Sequence, residues 1–167
     1  IITILIVLFF LYLYLFRPRI FNNFGNLFFM SLVILMMVGL TKLSLSYSNL
    51  SYYMVPFALL PIIIRVFFDS RTALFAHIIT MLIISFMVDN PFQFIVLQIA
   101  VGMAAVSSLK DMTQRSQLAQ TALYIFLTYI AIFLASELVS EGELKRINFQ
   151  PVLYFAISSG FLLFAYI

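Results

Sequence analysis

In the stretch PIIIRVFFDSRTALFAHI, Arg65, Asp69 and Arg71 fall close together and His77 follows in apolar sequence. Arg65 and Asp69 are spaced i,i+4, which on a continuous helix sets them on one face within ion-pair reach. At the midplane of a bilayer such charges would be costly, but at a helix end a long arginine reaches water or headgroups at little expense. Charge of this kind either anchors a tight turn or relays a movement to something docked beside it. Just upstream, Pro56 and Pro61 lack the amide proton that a helix interior needs, so they favour a bend or hinge in the same segment. Simple packing is the alternative, since proline is common in membrane helices.

His77 is the single histidine and the chain has no cysteine. A metal site needs several convergent nitrogen, oxygen or sulfur ligands, and no carboxylate pair stands at ligand spacing around His77. A hydrogen-bonded contact between helices is the expected role. Gln93 and Gln98 read the same way, with the lining of a small-molecule pocket as the second option. Ala100, Ala104 and Ser108 recur every four residues, a spacing that lets helices approach closely. Lys110 and Arg115 lie in KDMTQRSQLAQ, either a solvated loop or a docking surface for a further domain. There is no Ser/His/Asp set, no glycine-rich phosphate loop and no run of metal ligands. No residue is therefore assigned to catalysis, cofactor binding or metal binding, and this stretch is not expected to be an enzyme by itself.

The elements that must position these residues follow from composition. Hydrophobic residues make up 65% of the chain and charged residues 9%, and mean hydropathy is +1.16, which excludes an ordinary soluble domain. Apolar runs lie at about Ile1–Phe16, Leu27–Leu43, Tyr53–Phe68, Thr72–Val88, Phe92–Leu109, Gln117–Ser136 and Pro151–Ile167. Each approaches the roughly 20 residues that a helix needs to cross a ~30 Å hydrocarbon core. They are apolar on every side, whereas barrel strands would alternate, so the expectation is an all-α integral membrane protein. It should form one polytopic bundle of about seven spans over residues 1–167. Tyrosines at span ends, Tyr12, Tyr14, Tyr47, Tyr52 and Tyr53, fit an interfacial belt.

Net charge is +3, but the basic residues are scattered at span ends rather than gathered in a stripe, so nucleic acid is not an expected partner. With the first span running inward, Arg17, Arg19, Arg65, Arg71, Lys110 and Arg115 fall inside, and Lys42, Lys145 and Arg146 outside. That excess agrees with the positive-inside rule. It puts the amino-terminal end outside and the carboxy-terminal end in the cytoplasm. Both ends stand in apolar sequence, and Ile1 opens without a basic region, so the chain reads as part of a longer protein.

VPFALLPIIIRVFFDSRTALFAHIITMLIISFM, followed by VLQIAVGMAAVSSLKDMTQRSQLAQTAL, resembles the seven-transmembrane HD-domain family of bacterial membrane phosphohydrolases. The features carrying the likeness are Pro56, Asp69, Arg71, Ala73 and Leu74, then Gly102, Arg115 and Ser116. The Phe-, Tyr-, Ile- and Met-rich phrasing looks like the Bacteroidetes branch. The resemblance implies an extracellular ligand-sensing domain upstream, this bundle in the bacterial inner membrane, and a cytoplasmic HD domain downstream. That domain would hydrolyse cyclic di-AMP with a pair of divalent metals, Mn or Fe. The bundle itself would need no cofactor; its partners would be the lipid bilayer, the chain's own two other domains and, as an open option, a second copy in a homo-oligomer. The His-Asp motif of the family is missing here, since His77 is followed by Ile78, so no catalytic residue is carried over.

The expected role is to anchor the hydrolase and transmit a signal to it. In that scheme Arg65, Asp69, Arg71, Lys110 and Arg115 act as inner-turn relay residues and Pro56 and Pro61 as a hinge. A small-molecule transporter or substrate-binding component is the rival reading; it would draw on His77, Gln93, Gln98 and the proline pair as intramembrane polar and flexible elements.

Overall fold

The computed structural model describes residues 1–47, 50–109, 116–141 and 149–164, without the side chains of 116–118, 140–141 and 162–164. In chain order the helices are α1 (Ile2–Phe16), α2 (Pro18–Phe21), α3 (Phe24–Ser46), α4 (Leu59–Phe67), α5 (Ser70–Ser85), α6 (Pro91–Ser108), α7 (Ser116–Glu141) and α8 (Gln150–Phe164). A short 3-10 turn, Tyr52–Met54, precedes α4, and no strand occurs among the described residues.

Local chemistry sets the boundaries. Pro18 and Pro91 stand in the first turns of α2 and α6, where a missing amide proton costs nothing. The Asn23 side chain accepts from the Gly25 and Asn26 amides and caps α3. Asp69 accepts from the Thr72 amide and caps α5.

Two expectations are corrected here. Val55, forced toward extended backbone by the proline that follows it, sits at φ −67° and ψ 125°. Pro56 therefore lies in a break between the 3-10 turn and α4, and Pro61 is only the third residue of α4, where no helical hydrogen bond is lost. The third apolar segment is interrupted at Pro56 rather than kinked by two prolines. Likewise α4 stops at Phe67, Phe68 turns away at φ −130° and ψ −149°, and Asp69 begins the next helix. Arg65 and Asp69 thus do not share a helix face, and no ion pair forms between them, because the carboxylate serves as a cap instead.

By length and composition, Phe24–Ser46, Pro91–Ser108 and Ala119–Val139 are long and apolar enough to cross a membrane. Ile2–Phe16, Tyr52–Phe67 and Ser70–Ser85 are apolar but shorter; 15 or 16 residues give only about 22–24 Å of helix. The breaks at Arg17–Pro18, Pro56 and Phe68 are what shorten them. Outward positions such as Ile4, Leu35, Phe92 and Leu123 are exposed and apolar, the surface a membrane bundle turns toward lipid.

α1 and α5 pack antiparallel, as the contacts Arg17–Thr72 and Tyr12–Phe75 show, and so do α6 and α7, through Gln93–Ser136, Gln98–Tyr129 and Ser108–Thr121. The interior has two apolar cores. One joins α1, α3 and α5 around Leu13, Met30, Met37 and Met81. The other joins α6, α7 and α8 around Leu97, Ile125, Tyr129 and Phe155, with Tyr129 and Phe155 stacked at 4.7 Å and 6°. α4 straddles them, giving Leu60 and Ile64 to the first core and Ile62 to the second.

Candidate functional site

Polar side chains gather at two places: in the middle of the bundle and at the end that carries Arg17 and Asp69. The central group begins with His77, wholly buried on α5. Its Nε2 lies 2.8 Å from the backbone oxygen of Gln98 on α6. A carbonyl only accepts, so Nε2 carries the proton. The ring can come this near because residue 102 on α6 is glycine: a Cβ there would stand 2.5 Å from His77 Nε2 and nearer still to Cδ2. On the other side Gln98, also wholly buried, accepts at Oε1 from the Tyr129 hydroxyl of α7 at 3.0 Å.

α8 joins through Phe155, whose ring stacks on Tyr129 at 4.7 Å, and through Ser158, whose proton goes to the backbone oxygen of Val55 at 3.1 Å. Val55 is the extended residue at the break before Pro56. α5, α6 and α7 are thereby joined by one buried polar line, and α8 is tied separately to the interrupted third segment by the Ser158 bond. His77 Nδ1 and Gln98 Nε2 have no hydrogen-bond partner.

At the Arg17 end, where α1 gives way to α2, a two-pronged ion pair closes the gap to α5. Arg17 Nη2 donates to Asp69 Oδ2 at 2.6 Å and Nε to Oδ1 at 3.0 Å. Thr72 adds its hydroxyl to Oδ1 at 2.6 Å and its amide to Oδ2 at 3.3 Å. Partial burial works against the Asp69 charge, but the hydrogen bonds from Arg17 and Thr72 outweigh it and hold the carboxyl below its ordinary value. The hydrogen bond to Asp69 raises Arg17 in turn. Above the pair, Tyr12 of α1 stacks on Phe75 of α5 at 4.0 Å.

Of the other residues singled out by sequence, Gln93 donates to Ser136 Oγ at 3.0 Å and to Glu137 Oε1 at 3.3 Å, tying α6 to α7 at the opposite end. Arg65 is half-buried, with Nε enclosed and unpartnered. Arg71 is exposed. Lys110 and Arg115 lie outside the described residues. The structure thus brings His77 and Gln98 together and leaves Gln93 apart from them. Sequence reasoning passed over Arg17, Thr72, Tyr129 and Ser158. Tyr129 carried a signal, since a tyrosine in the middle of an apolar run needs a partner for its hydroxyl.

Among the described residues no three His, Cys, Asp or Glu side chains converge to hold a metal. A family model described as a 7TM receptor with intracellular HD hydrolase matches residues 1–167. No curated protein and no solved structure matches the chain.

Proposed function

We propose, for a chain that belongs to the family of 7TM receptors with an intracellular HD hydrolase, that this bundle crosses the bacterial inner membrane about seven times and couples an outer sensor domain to a cytoplasmic HD domain. The HD domain hydrolyses cyclic di-AMP with its own divalent metals, and the bundle supplies anchoring and transmission. The Arg17–Asp69 end faces the cytoplasm, in keeping with the arginines gathered there.

The observation that carries this reading is the buried polar line from His77 through Gln98 to Tyr129, together with the buried Ser158 bond from α8 to the backbone of Val55 at the break. A purely passive anchor gains little from hydrogen bonds at this depth. Helices held to one another by so few buried bonds, one of them on the backbone at a helix break, form an element whose packing both ends of the bundle can bias.

Cyclic di-AMP hydrolysis by the full-length receptor in proteoliposomes tests it. Ser158→Ala, which releases the break at Val55 from α8, should shift the basal rate by about fivefold or more at equal amounts of folded protein. An unchanged rate would leave anchoring as the whole role, and a wild-type receptor without activity on cyclic di-AMP would remove the substrate assignment. The break at Pro56 is the one feature that favours transport instead; uptake of solute into the same proteoliposomes would establish that reading.

A further inference from the structure

Asp69 has no capacity left for Arg65. Each of its oxygens already accepts two hydrogen bonds, Oδ1 from Arg17 Nε and the Thr72 hydroxyl, Oδ2 from Arg17 Nη2 and the Thr72 amide. Among the described residues no carboxylate therefore neutralises the arginine four residues earlier, whose Nε is enclosed and without a hydrogen-bond partner. A guanidinium cannot shed its proton to escape this position. Its place in the last turn of α4 offers partial compensation from the helix C-terminus, which still leaves the planar N–H fork unmatched.

The surroundings say what would match it. On the next two positions of α4, Val66 and Phe67 are 50% and 65% exposed, an apolar surface at the end of a membrane helix. Arg19 and Arg71 stand exposed at the same end of the bundle. Asp69 is the only carboxylate at that end among the described residues, and Arg17 and Thr72 occupy it.

From the uncompensated fork beside an apolar, lipid-facing turn, we infer that Arg65 is a binding site for the headgroup phosphate of an anionic phospholipid. With Nε enclosed, the phosphodiester oxygens accept from the two Nη groups as a bidentate pair, and the acyl chains lie along Val66 and Phe67. Free inorganic phosphate shares the first interaction but has no use for the second, so the lipid is the occupant. Arg19 and Arg71 add attraction without specific contact.

The test is native mass spectrometry of the full-length protein, stripped of lipid in detergent and titrated with phosphatidylglycerol, phosphatidylcholine or inorganic phosphate. One phosphatidylglycerol should bind at least tenfold more tightly than phosphatidylcholine. Arg65→Gln should abolish that preference and Arg71→Gln should leave most of it. Arg65→Lys keeps the charge but loses the fork, and should retain part of the preference; it also serves if Arg65→Gln does not fold. Equal affinity of wild type and both Arg65 variants for phosphatidylglycerol overturns the site. So does inorganic phosphate that competes at the concentration of the lipid, which would make the site one for free anions.

Discussion

Replacing Gly102 by alanine adds one methyl group where the histidine ring lies. The new Cβ would stand 2.5 Å from His77 Nε2 and 3.2 Å from Cγ, whereas carbon atoms in ordinary contact keep about 3.5–4.0 Å. The contact is with a ring wedged between α5 and α6, not with the free end of a flexible chain. To restore contact distance the ring must retreat by about 1 Å, which carries the 2.8 Å bond to Gln98 beyond the hydrogen-bond range. Overpacking costs about 1–3 kcal/mol and the stranded N–H about another 1–3 kcal/mol, while alanine returns nearly 1 kcal/mol of helix preference. The net loss is about 1–5 kcal/mol. Thermal unfolding of the detergent-solubilised protein measures it, with Gly39→Ala and Gly160→Ala as controls, since a Cβ at either meets nothing within 4 Å. Those controls should be neutral or slightly stabilised. In a His77→Ala background the Gly102→Ala penalty should disappear, because the obstructing ring is gone. A Gly102→Ala protein as stable as the two controls, or a penalty that persists without His77, would refute this account of how α5 meets α6.

Tyr129→Phe keeps the stack on Phe155 and removes only the bond to Gln98, so it should cost about 0.6–1.7 kcal/mol by the same unfolding assay. Arg17→Gln and Asp69→Asn, taken as a double-mutant cycle, should couple by no more than about 1 kcal/mol, because the side chains keep 30% and 41% exposure and solvent screens them. Since folding lowers the Asp69 pKa, its contribution is present above the ordinary value of 3.8 and fades as pH falls through the folded value. The stability gap between wild type and Asp69→Asn should accordingly close on acidification, and a gap that widens would contradict the clamp. Pro61→Ala should destabilise by about 1–2 kcal/mol, through two buried ring methylenes at about 0.8 kcal/mol each, and should return none of the ~3 kcal/mol that a proline inside a helix costs, because Pro61 stands buried in the first turn of α4; circular dichroism with thermal melting checks it.

The class was legible in the residues alone. A chain 65% hydrophobic and 9% charged has no soluble solution, so helices in a membrane follow from the need to satisfy every backbone group internally. Asn23 and Asp69 as caps and Pro18 and Pro91 as first-turn prolines act on neighbours a few residues away, the range over which sequence speaks directly. The same local logic misled at Arg65 and Asp69. Their spacing presumed a helix running through both, and the turn at Phe68 intervenes because Asp69 gains more by capping α5 and pairing with a distant cation.

That cation, Arg17, lies 52 residues away in sequence. His77 reaches Gln98 across 21 residues, Tyr129 reaches Gln98 across 31, and Ser158 reaches Val55 across 103. Helices apolar on every side carry no stripe that says which face meets which neighbour. The register is chosen by shape and by the few groups that must find partners at depth, and Gly102, Gln98 and Tyr129 become a site only once α5, α6 and α7 are side by side. The sequence by itself determined that this protein is a helical membrane bundle with charged turns. The tertiary structure alone decided which polar groups meet inside it, because those meetings depend on packing between surfaces that hydropathy cannot tell apart.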